Sequence, residues 1–182
     1  MIYEAKEFKL KDSRICIIRS PKEEEALEMM DCLKMVASET DFILRYPEEC
    51  TETYEEEAQF LRSINNSLYN IMLVGIIDGE IVGNAQLSIH RRMKVRHKAS
   101  IAIGLRKKFW NLGIAKIMFE ELEKIAINMQ CKQIELEVID INYRAIAFYE
   151  KMGYKKFATR PRGIILKDGT ELDESFMVKY LD

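Results

Sequence analysis

The sequence has no long hydrophobic run and no excess of charge of one sign. A membrane-spanning helix needs about 20 consecutive apolar residues, and no run reaches that length. The 182 residues carry a formal net charge of −2, which gives no global attraction for nucleic acid. Residues 1–10 are charged and do not resemble a secretory signal peptide. We therefore expect a cytoplasmic protein with neither a membrane nor a nucleic-acid partner.

Paired cysteine motifs are also missing. Cys16, Cys32, Cys50 and Cys131 are scattered along the chain and form no CxxC pair. This pattern favours free thiols in a reducing compartment over disulfides, and it predicts no metal site. We expect the cysteines to act mainly as small buried apolar side chains.

Two common phosphate-binding motifs do not occur. The chain contains neither the GxxxxGK[ST] loop nor the GxGxxG fingerprint. Their absence argues against a kinase and against a dinucleotide-binding enzyme.

Hydrophobic periodicity and turn residues predict alternating strands and helices. Strands are expected at residues 14–19, 69–77, 80–89, 99–105, 133–139, 154–159 and 175–180, and helices after Ser20-Pro21, near Thr51 with Glu55 close to the capping-box position, over 114–129 and over 142–152. A helix links the strands at 99–105 and 133–139, so those two should be parallel. The order predicts a single α/β domain over residues 1–182, with a mixed, mostly antiparallel sheet flanked by helices.

Residues 99–115 predict a phosphate site. An apolar strand is followed by a short basic connection and then by the start of a helix near Gly113. The first backbone N–H groups of a helix lack intrahelical partners, and the helix dipole adds positive charge there. Gly113 has no Cβ, so a ligand can approach the backbone closely. Such a helix start binds phosphate readily.

Two motifs together resemble the GNAT superfamily of acetyl-CoA-dependent N-acetyltransferases. The first is Trp110-Asn111-Leu112-Gly113-Ile114-Ala115, similar to the family's Gln/Arg-x-x-Gly-x-Gly/Ala pyrophosphate loop. The second is the Asn-x-x-Ala-x-x-x-Tyr-x-x-x-Gly-Tyr run at residues 142–154. The resemblance covers nearly the whole chain.

The resemblance implies acetyl-CoA as the cofactor and assigns residues to it. The amides of its pantetheine arm are expected to pair with the backbone of Ile103 and Leu105. Its pyrophosphate should rest on the amides of the loop formed by Trp110, Asn111, Leu112, Gly113, Ile114 and Ala115. Asn142 is expected to contact the arm. Tyr149 is the expected catalytic residue, because a phenol within reach of the departing thiolate can give it a proton.

The sequence departs from the family pattern at two places. Trp110 replaces the loop's usual first residue, Gln or Arg, without removing the backbone donors. Ser100 lies where many members have a glutamate that serves as a base. The amine still has to lose a proton, since its pKa is about 10. Candidate acceptors of that proton are Glu80, His90, Glu135, Glu137 and a chain of water molecules, and the sequence does not choose among them.

The resemblance therefore predicts an N-acetyltransferase in which a primary amine attacks the thioester directly in a ternary complex. The acceptor can be a small molecule or a peptide, and the sequence does not select one. Lys107, Lys108 and Lys116 are near enough in sequence to assist with phosphates. A non-catalytic acyl-CoA-binding or sensing module is the alternative function. A transferase that uses a longer acyl group is a second alternative. The resemblance is also compatible with a homodimer.

Overall fold

The structure, a computed structural model, describes residues 1–181. Asp182, the last residue of the predicted domain, lies outside the described residues. The described chain forms eight strands and four α-helices. The strands are β1 (Lys6–Lys9), β2 (Ile15–Arg19), β3 (Asn70–Ile77), β4 (Glu80–Ile89), β5 (Lys98–Leu105), β6 (Gln133–Ile139), β7 (Lys155–Ile165) and β8 (Glu171–Tyr180), and the helices are α1 (Ala26–Glu39), α2 (Tyr54–Asn65), α3 (Ile114–Asn128) and α4 (Tyr143–Lys151).

The strands form one mixed sheet in the order β1-β2-β3-β4-β5-β6-β8-β7. The pair β5/β6 is parallel, and the pairs β1/β2, β2/β3, β3/β4, β6/β8 and β7/β8 are antiparallel. The predicted mixed, mostly antiparallel α/β fold is therefore confirmed, including its parallel pair. No helix within residues 1–181 is both long and apolar enough to cross a membrane.

The chain divides into two compact units. The first unit contains Met1–Ser88 and Ile103–Lys124, and the second contains Ile89–Ala102 and Ile125–Asp182. That residues 1–182 form a single domain stays a prediction.

In the first unit, α1 and α2 pack together against β3 and β4. Their shared core is apolar and buried, and it consists of Ala26, Met29, Cys32, Val36, Ala58, Leu61, Ile64, Met72, Val74 and Ile81. Residues of α1 and α2 recur in it at helical spacing, as expected for amphipathic helices with one apolar stripe. This core holds α1 and the β3–β4 hairpin in a fixed relation.

The start of α2 differs from the prediction. Thr53, not Thr51, is the N-cap, and its side chain accepts a hydrogen bond from the Glu56 backbone N–H. Glu56 completes the capping box by accepting from the Thr53 backbone N–H at 2.8 Å. Glu55 therefore has no part in the cap, because the capping-box geometry requires a spacing of three residues.

In the second unit, β6 shows the alternation that its sequence predicts. Ile134, Leu136 and Val138 are buried, whereas Glu135 is half-buried and Glu137 is exposed. Successive side chains of a strand point to opposite faces, so both glutamates lie on the face opposite the apolar residues. The strand spans Gln133–Ile139, the predicted boundaries.

Three strand predictions needed correction. β1 was missed, because its four residues, KEFK, are nearly all exposed and carry no apolar alternation. β7 continues to Ile165 and β8 begins at Glu171, so both are longer than predicted. The residues of β7 are largely exposed and its register with β8 shifts twice, which hides the period of two that identifies a strand.

Gly83 on β4 lies where the backbone of β5 comes very close. A Cβ at this position would lie 2.8 Å from the Leu105 Cα and closer still to the carbonyl oxygen of Gly104. These are backbone atoms, so no side-chain rotation relieves the overlap. The close approach fixes the end of β5, the strand that leads into the predicted phosphate loop.

We expect Gly83→Ala to lower the free energy of unfolding by about 2 kcal/mol or more, because the new methyl group overlaps backbone. Urea unfolding measures the change. Gly104→Ala is the matched control. Its new Cβ meets its nearest atom, the Val36 Cγ1, at an ordinary 3.4 Å, so we expect little loss. Equal stability of the two variants would contradict the close approach of the β5 backbone to Gly83.

Candidate functional site

The connection from β5 to α3 is short and firmly held in the first unit. The Arg106 backbone N–H donates to the Val82 carbonyl at 2.9 Å, and a single 3-10 turn follows over Lys107–Phe109. Phe109 is buried and anchors this turn, with the Lys108 ammonium 4.8 Å from its ring centroid. The loop therefore leaves β5 in a defined direction.

Two residues turn the backbone into α3. Asn111 has φ of 65° and Gly113 has φ of 97°, both in the left-handed region that favours glycine and tolerates asparagine. A Cβ on Gly113 would meet, among the described residues, only the Lys11 Cε at 4.0 Å. Apart from the neighbouring residues of the loop, the space beside the Gly113 Cα is therefore open.

The start of α3 presents a run of free backbone donors. The first helical hydrogen bond runs from the Ile117 N–H to the Gly113 carbonyl at 3.1 Å. Within residues 1–181, the N–H groups of residues 111–116 donate to no other group of the chain. Unsatisfied donors at a helix start, reinforced by the helix dipole, form an anion site. The open space and the free donors together fit a pyrophosphate.

Trp110 has a structural task in this loop. Its indole Nε1 donates to the Leu105 carbonyl at 2.8 Å, which ties the loop back onto the end of β5. The carbonyl of Leu105 is thus already engaged by this bond. This bond explains how a tryptophan can replace the family's polar first residue.

The ladder between β5 and β6 is short. It pairs Lys98 with Gln133, Ala99 with Ile134 and Ser100 with Glu135 in the second unit. Ile103 and Leu105 come after this paired segment along β5. A parallel pair that stops early leaves backbone groups that an extended ligand can use, as in β-strand addition.

A partly buried ion-pair network supports the same connection. The Arg106 guanidinium, with a side chain 14% exposed, pairs with Glu80 of β4 and lies 4.0 Å from the carboxylate of Glu39. Glu39 also accepts a hydrogen bond from the Lys107 backbone N–H. The last residue of α1 and the first residues of the loop are thereby fixed to each other.

Most cations around the loop already have partners. Lys108 pairs with Glu80 at 2.9 Å, and Lys116 pairs with Glu120 at 3.4 Å. Their contribution to phosphate binding, proposed from sequence, is reduced by these carboxylates. Lys107 and Lys11 have no ion-pair partner among residues 1–181. Lys11 was missed by sequence reasoning, since it lies in the β1–β2 turn about a hundred residues before the loop.

In the second unit, Asn142 starts α4. Its side-chain oxygen accepts a hydrogen bond from the Ala145 backbone N–H at 3.2 Å, so it is the helix N-cap. The Asn142 N–H donates to the Ile139 carbonyl at 2.8 Å, which closes the turn from β6. The cap uses the side-chain oxygen and leaves the amide NH₂ for a ligand. Its predicted contact with a cofactor stays a prediction.

Tyr149 lies on the inner side of α4 with a side chain 9% exposed. Its ring centroid is 5.5 Å from that of Phe148 and 6.2 Å from that of Tyr154. Burial raises the pKa of Tyr149 to about 12, against an opposing effect of the Arg144 charge. A phenol is protonated at neutral pH even at its ordinary pKa of about 10, so Tyr149 is in the state that can donate a proton.

The candidate carboxylate bases differ in whether a cation pairs with them. Glu80 is neutralised by Arg106 and Lys108. Burial alone would raise the pKa of Glu135, but the hydrogen bonds from Lys98 and Gln133 outweigh it and hold the pKa below its usual value. Ser100, paired in register with Glu135, therefore has a carboxylate opposite it that is already occupied.

Glu137 has a different environment. Among the described residues it has no cation partner, and its carboxyl contacts that of Glu174 on β8. Burial first and the Glu137 charge second raise the pKa of Glu174, even though Arg160 pairs with it at 2.6 Å. Glu137 thus lies beside a carboxyl group whose pKa is raised.

The predicted site residues thus fall into two groups. Ile103, Leu105 and the loop residues 110–115 belong to the first unit, where Trp110 ties the loop to Leu105. Asn142 and Tyr149 both belong to α4 in the second unit. The first group offers anion binding and the second offers a proton donor.

Several known proteins are similar to this chain. L-amino acid N-acetyltransferase of Escherichia coli (strain K12) is 29% identical over 108 residues, which cover 59% of this chain and 66% of that protein. An acetyltransferase of the GNAT family from Streptococcus pneumoniae is 28% identical, with a TM-score of 0.85, over 91% of this chain and 99% of that chain.

A more distant structural neighbour carries a ligand. It is a GNAT superfamily phosphinothricin acetyltransferase from Sinorhizobium meliloti in complex with AcCoA, with a TM-score of 0.78 at 18% identity, over 96% of this chain and 89% of that chain. At that identity the likeness shows the fold alone. The family model described as the acetyltransferase (GNAT) family matches residues 36–154, more than half of the chain. This protein therefore belongs to the acetyltransferase (GNAT) family.

Proposed function

We propose that this protein transfers the acetyl group of acetyl-CoA to a primary amine by direct attack in a ternary complex. The observation that carries the proposal is the run of free backbone N–H groups at residues 111–116, beside the open space at Gly113. A pyrophosphate needs several donors in one concave place, and this helix start supplies them. Acetyl-CoA, when bound, supplies the thioester that the amine attacks.

The chain's own residues divide the work of binding. The N–H groups of residues 111–116 would hold the pyrophosphate, and backbone groups of Ile103 and Leu105 would pair with the extended arm. Trp110 keeps the loop in place through the Leu105 carbonyl. Asn142 caps α4 and turns its remaining amide group to the arm. None of these residues forms a covalent bond to the acyl group.

Tyr149 is the proposed general acid. Its hydroxyl carries a proton at neutral pH, as an ordinary phenol does, and burial raises its pKa further, to about 12. The proton moves to the sulfur as the carbon–sulfur bond breaks, so that the product leaves as a thiol. A donor held in a buried position has little freedom to lose its alignment, since rings of Phe148 and Tyr154 flank it.

Glu137 is the proposed acceptor of the amine's proton. It is the candidate carboxylate that no cation neutralises among residues 1–181, whereas Glu80 and Glu135 are both paired. Its carboxyl contacts that of Glu174 on β8. The exposed position of Glu137 on β6 allows that proton to pass on to solvent.

The proposed acceptor is a small-molecule or peptide amine, and an amino acid is the first to test. The printed name of the Escherichia coli relative assigns that class to that protein. The proposal also includes the cytoplasm as the location, in keeping with free cysteines, of which Cys16, Cys32 and Cys131 are buried. A homodimer formed through the last strands is proposed as well.

Tyr149→Phe tests catalysis against mere binding. We expect turnover, followed by free-thiol release from acetyl-CoA with a panel of amines, to fall about 100-fold because the leaving sulfur loses its proton donor. Affinity for CoA, measured by calorimetry, should change little. Tyr143→Phe, on the same helix but 74% exposed, is the matched control and should keep wild-type turnover.

Two results would contradict the role of Tyr149. Unchanged turnover in Tyr149→Phe would show that Tyr149 is not the general acid. A loss of CoA affinity would show that Tyr149 acts in binding instead. CoA binding without thiol release for every amine, by the wild-type protein as well, would favour the acyl-CoA-binding module instead.

Glu137→Gln tests the proton acceptor. We expect turnover near pH 7 to fall about 100-fold, and the loss to shrink as the pH rises toward about 10, where the free amine becomes abundant without a base. Glu135→Gln is the control, since Glu135 is bound to Lys98 at 2.8 Å. A pH-independent loss, or an equal loss in Glu135→Gln, would remove Glu137 from this role.

A further inference from the structure

The β1–β2 turn brings a lysine to the phosphate loop. We propose that Lys11 binds the pyrophosphate of acetyl-CoA together with the N–H groups at the start of α3. The inference rests on the proposed function and adds a residue that lies outside both sequence motifs. It assigns to the first hairpin of the chain a part in donor binding.

The turn itself is closed and tied to the loop. The Leu10 N–H donates to the Arg14 carbonyl at 2.8 Å, and the Ser13 N–H donates to the Leu10 carbonyl at 3.0 Å. The Lys11 N–H donates to the Leu112 carbonyl at 3.3 Å, which joins the turn to the residue before Gly113. Hydrogen bonds within the turn and the bond to Leu112 therefore hold the backbone of Lys11 beside the loop.

The side chain of Lys11 extends to the same open space. Its Cε lies 4.0 Å from the position that a Cβ on Gly113 would occupy, and no other described side chain comes as close to that position. Gly113 is the residue at which a ligand can approach the backbone most closely. An ammonium at the end of this side chain thus borders the place where the donors of residues 111–116 converge.

The charge of Lys11 is not used elsewhere. Three other cations near the loop are held by carboxylates, whereas Lys107 has no ion-pair partner among the described residues: Arg14 is held by Asp12 at 2.7 Å, Lys108 by Glu80 and Lys116 by Glu120. Lys11 has no carboxylate partner among residues 1–181. A charged partner strengthens a phosphate contact beyond what neutral N–H donors give. Lys11 is placed to supply that charge.

The position favours the pyrophosphate over the 3′-phosphate of the ligand. The free donors and the Lys11 side chain meet at Gly113, the predicted pyrophosphate position. The effect of removing Lys11 should therefore not depend on the 3′-phosphate. Comparing CoA with 3′-dephospho-CoA separates the two phosphate positions without any knowledge of the acceptor amine.

The test measures binding of CoA and of 3′-dephospho-CoA to wild-type protein, Lys11→Gln and Lys22→Gln by calorimetry. Lys22 is an exposed lysine that follows the far end of β2, so its variant matches the change in net charge. We expect Lys11→Gln to weaken both ligands by the same factor, about tenfold, the size of one charge-assisted hydrogen bond. Lys22→Gln should bind both ligands as the wild type does.

Two outcomes would overturn the proposal. Equal affinities of Lys11→Gln and Lys22→Gln would show that Lys11 does not bind the ligand. Weaker binding of CoA alone would show that Lys11 contacts the 3′-phosphate and not the pyrophosphate. Failure of the wild-type protein to bind either ligand is a separate result, because it would reject the proposed function itself.

Discussion

The backbone N–H groups at the start of α3 need partners that the chain does not provide. Within residues 1–181 the groups of residues 111–116 donate to nothing, and the helix dipole adds to their pull on an anion. The surrounding contacts hold the loop in the conformation that leaves these N–H groups free. Gly83 lets β4 approach the end of β5, Arg106 is held by Glu80, and Trp110 ties the loop to Leu105. Each contact fixes the position of the loop and leaves the N–H groups of residues 111–116 free for a ligand.

Catalysis adds a second requirement, because one proton must leave the amine and another must reach the sulfur. The second unit contains groups suited to both tasks. The Tyr149 phenol carries a proton and burial raises its pKa further, and Glu137 is the proposed acceptor of the amine's proton, in contact with Glu174 on the neighbouring strand. The same chain segment, β6 followed by α4, carries Glu137 and Tyr149. The proposed chemistry thus depends on one strand–helix unit, and the binding on another.

The local elements of this fold were largely predictable from sequence. β6 was predicted with its observed boundaries, because Ile134, Leu136 and Val138 alternate with polar residues. β1 and the full length of β7 were not predictable, since exposed residues carry no apolar period. The contribution of Lys11 depends on a turn and a loop a hundred residues apart, and only the folded chain shows that they meet. Likewise, the partners of Glu80 and Glu135 became visible only in the structure.

The central claim is that acetyl-CoA is held by the backbone at the start of α3. Amide chemical shifts recorded by NMR during a titration with CoA test it most directly. The account predicts the largest shifts at the amides of residues 111–116, the donors that would gain phosphate partners, with shifts following at Ile103 and Leu105. Saturable binding that leaves the amides of residues 111–116 unmoved would contradict the account.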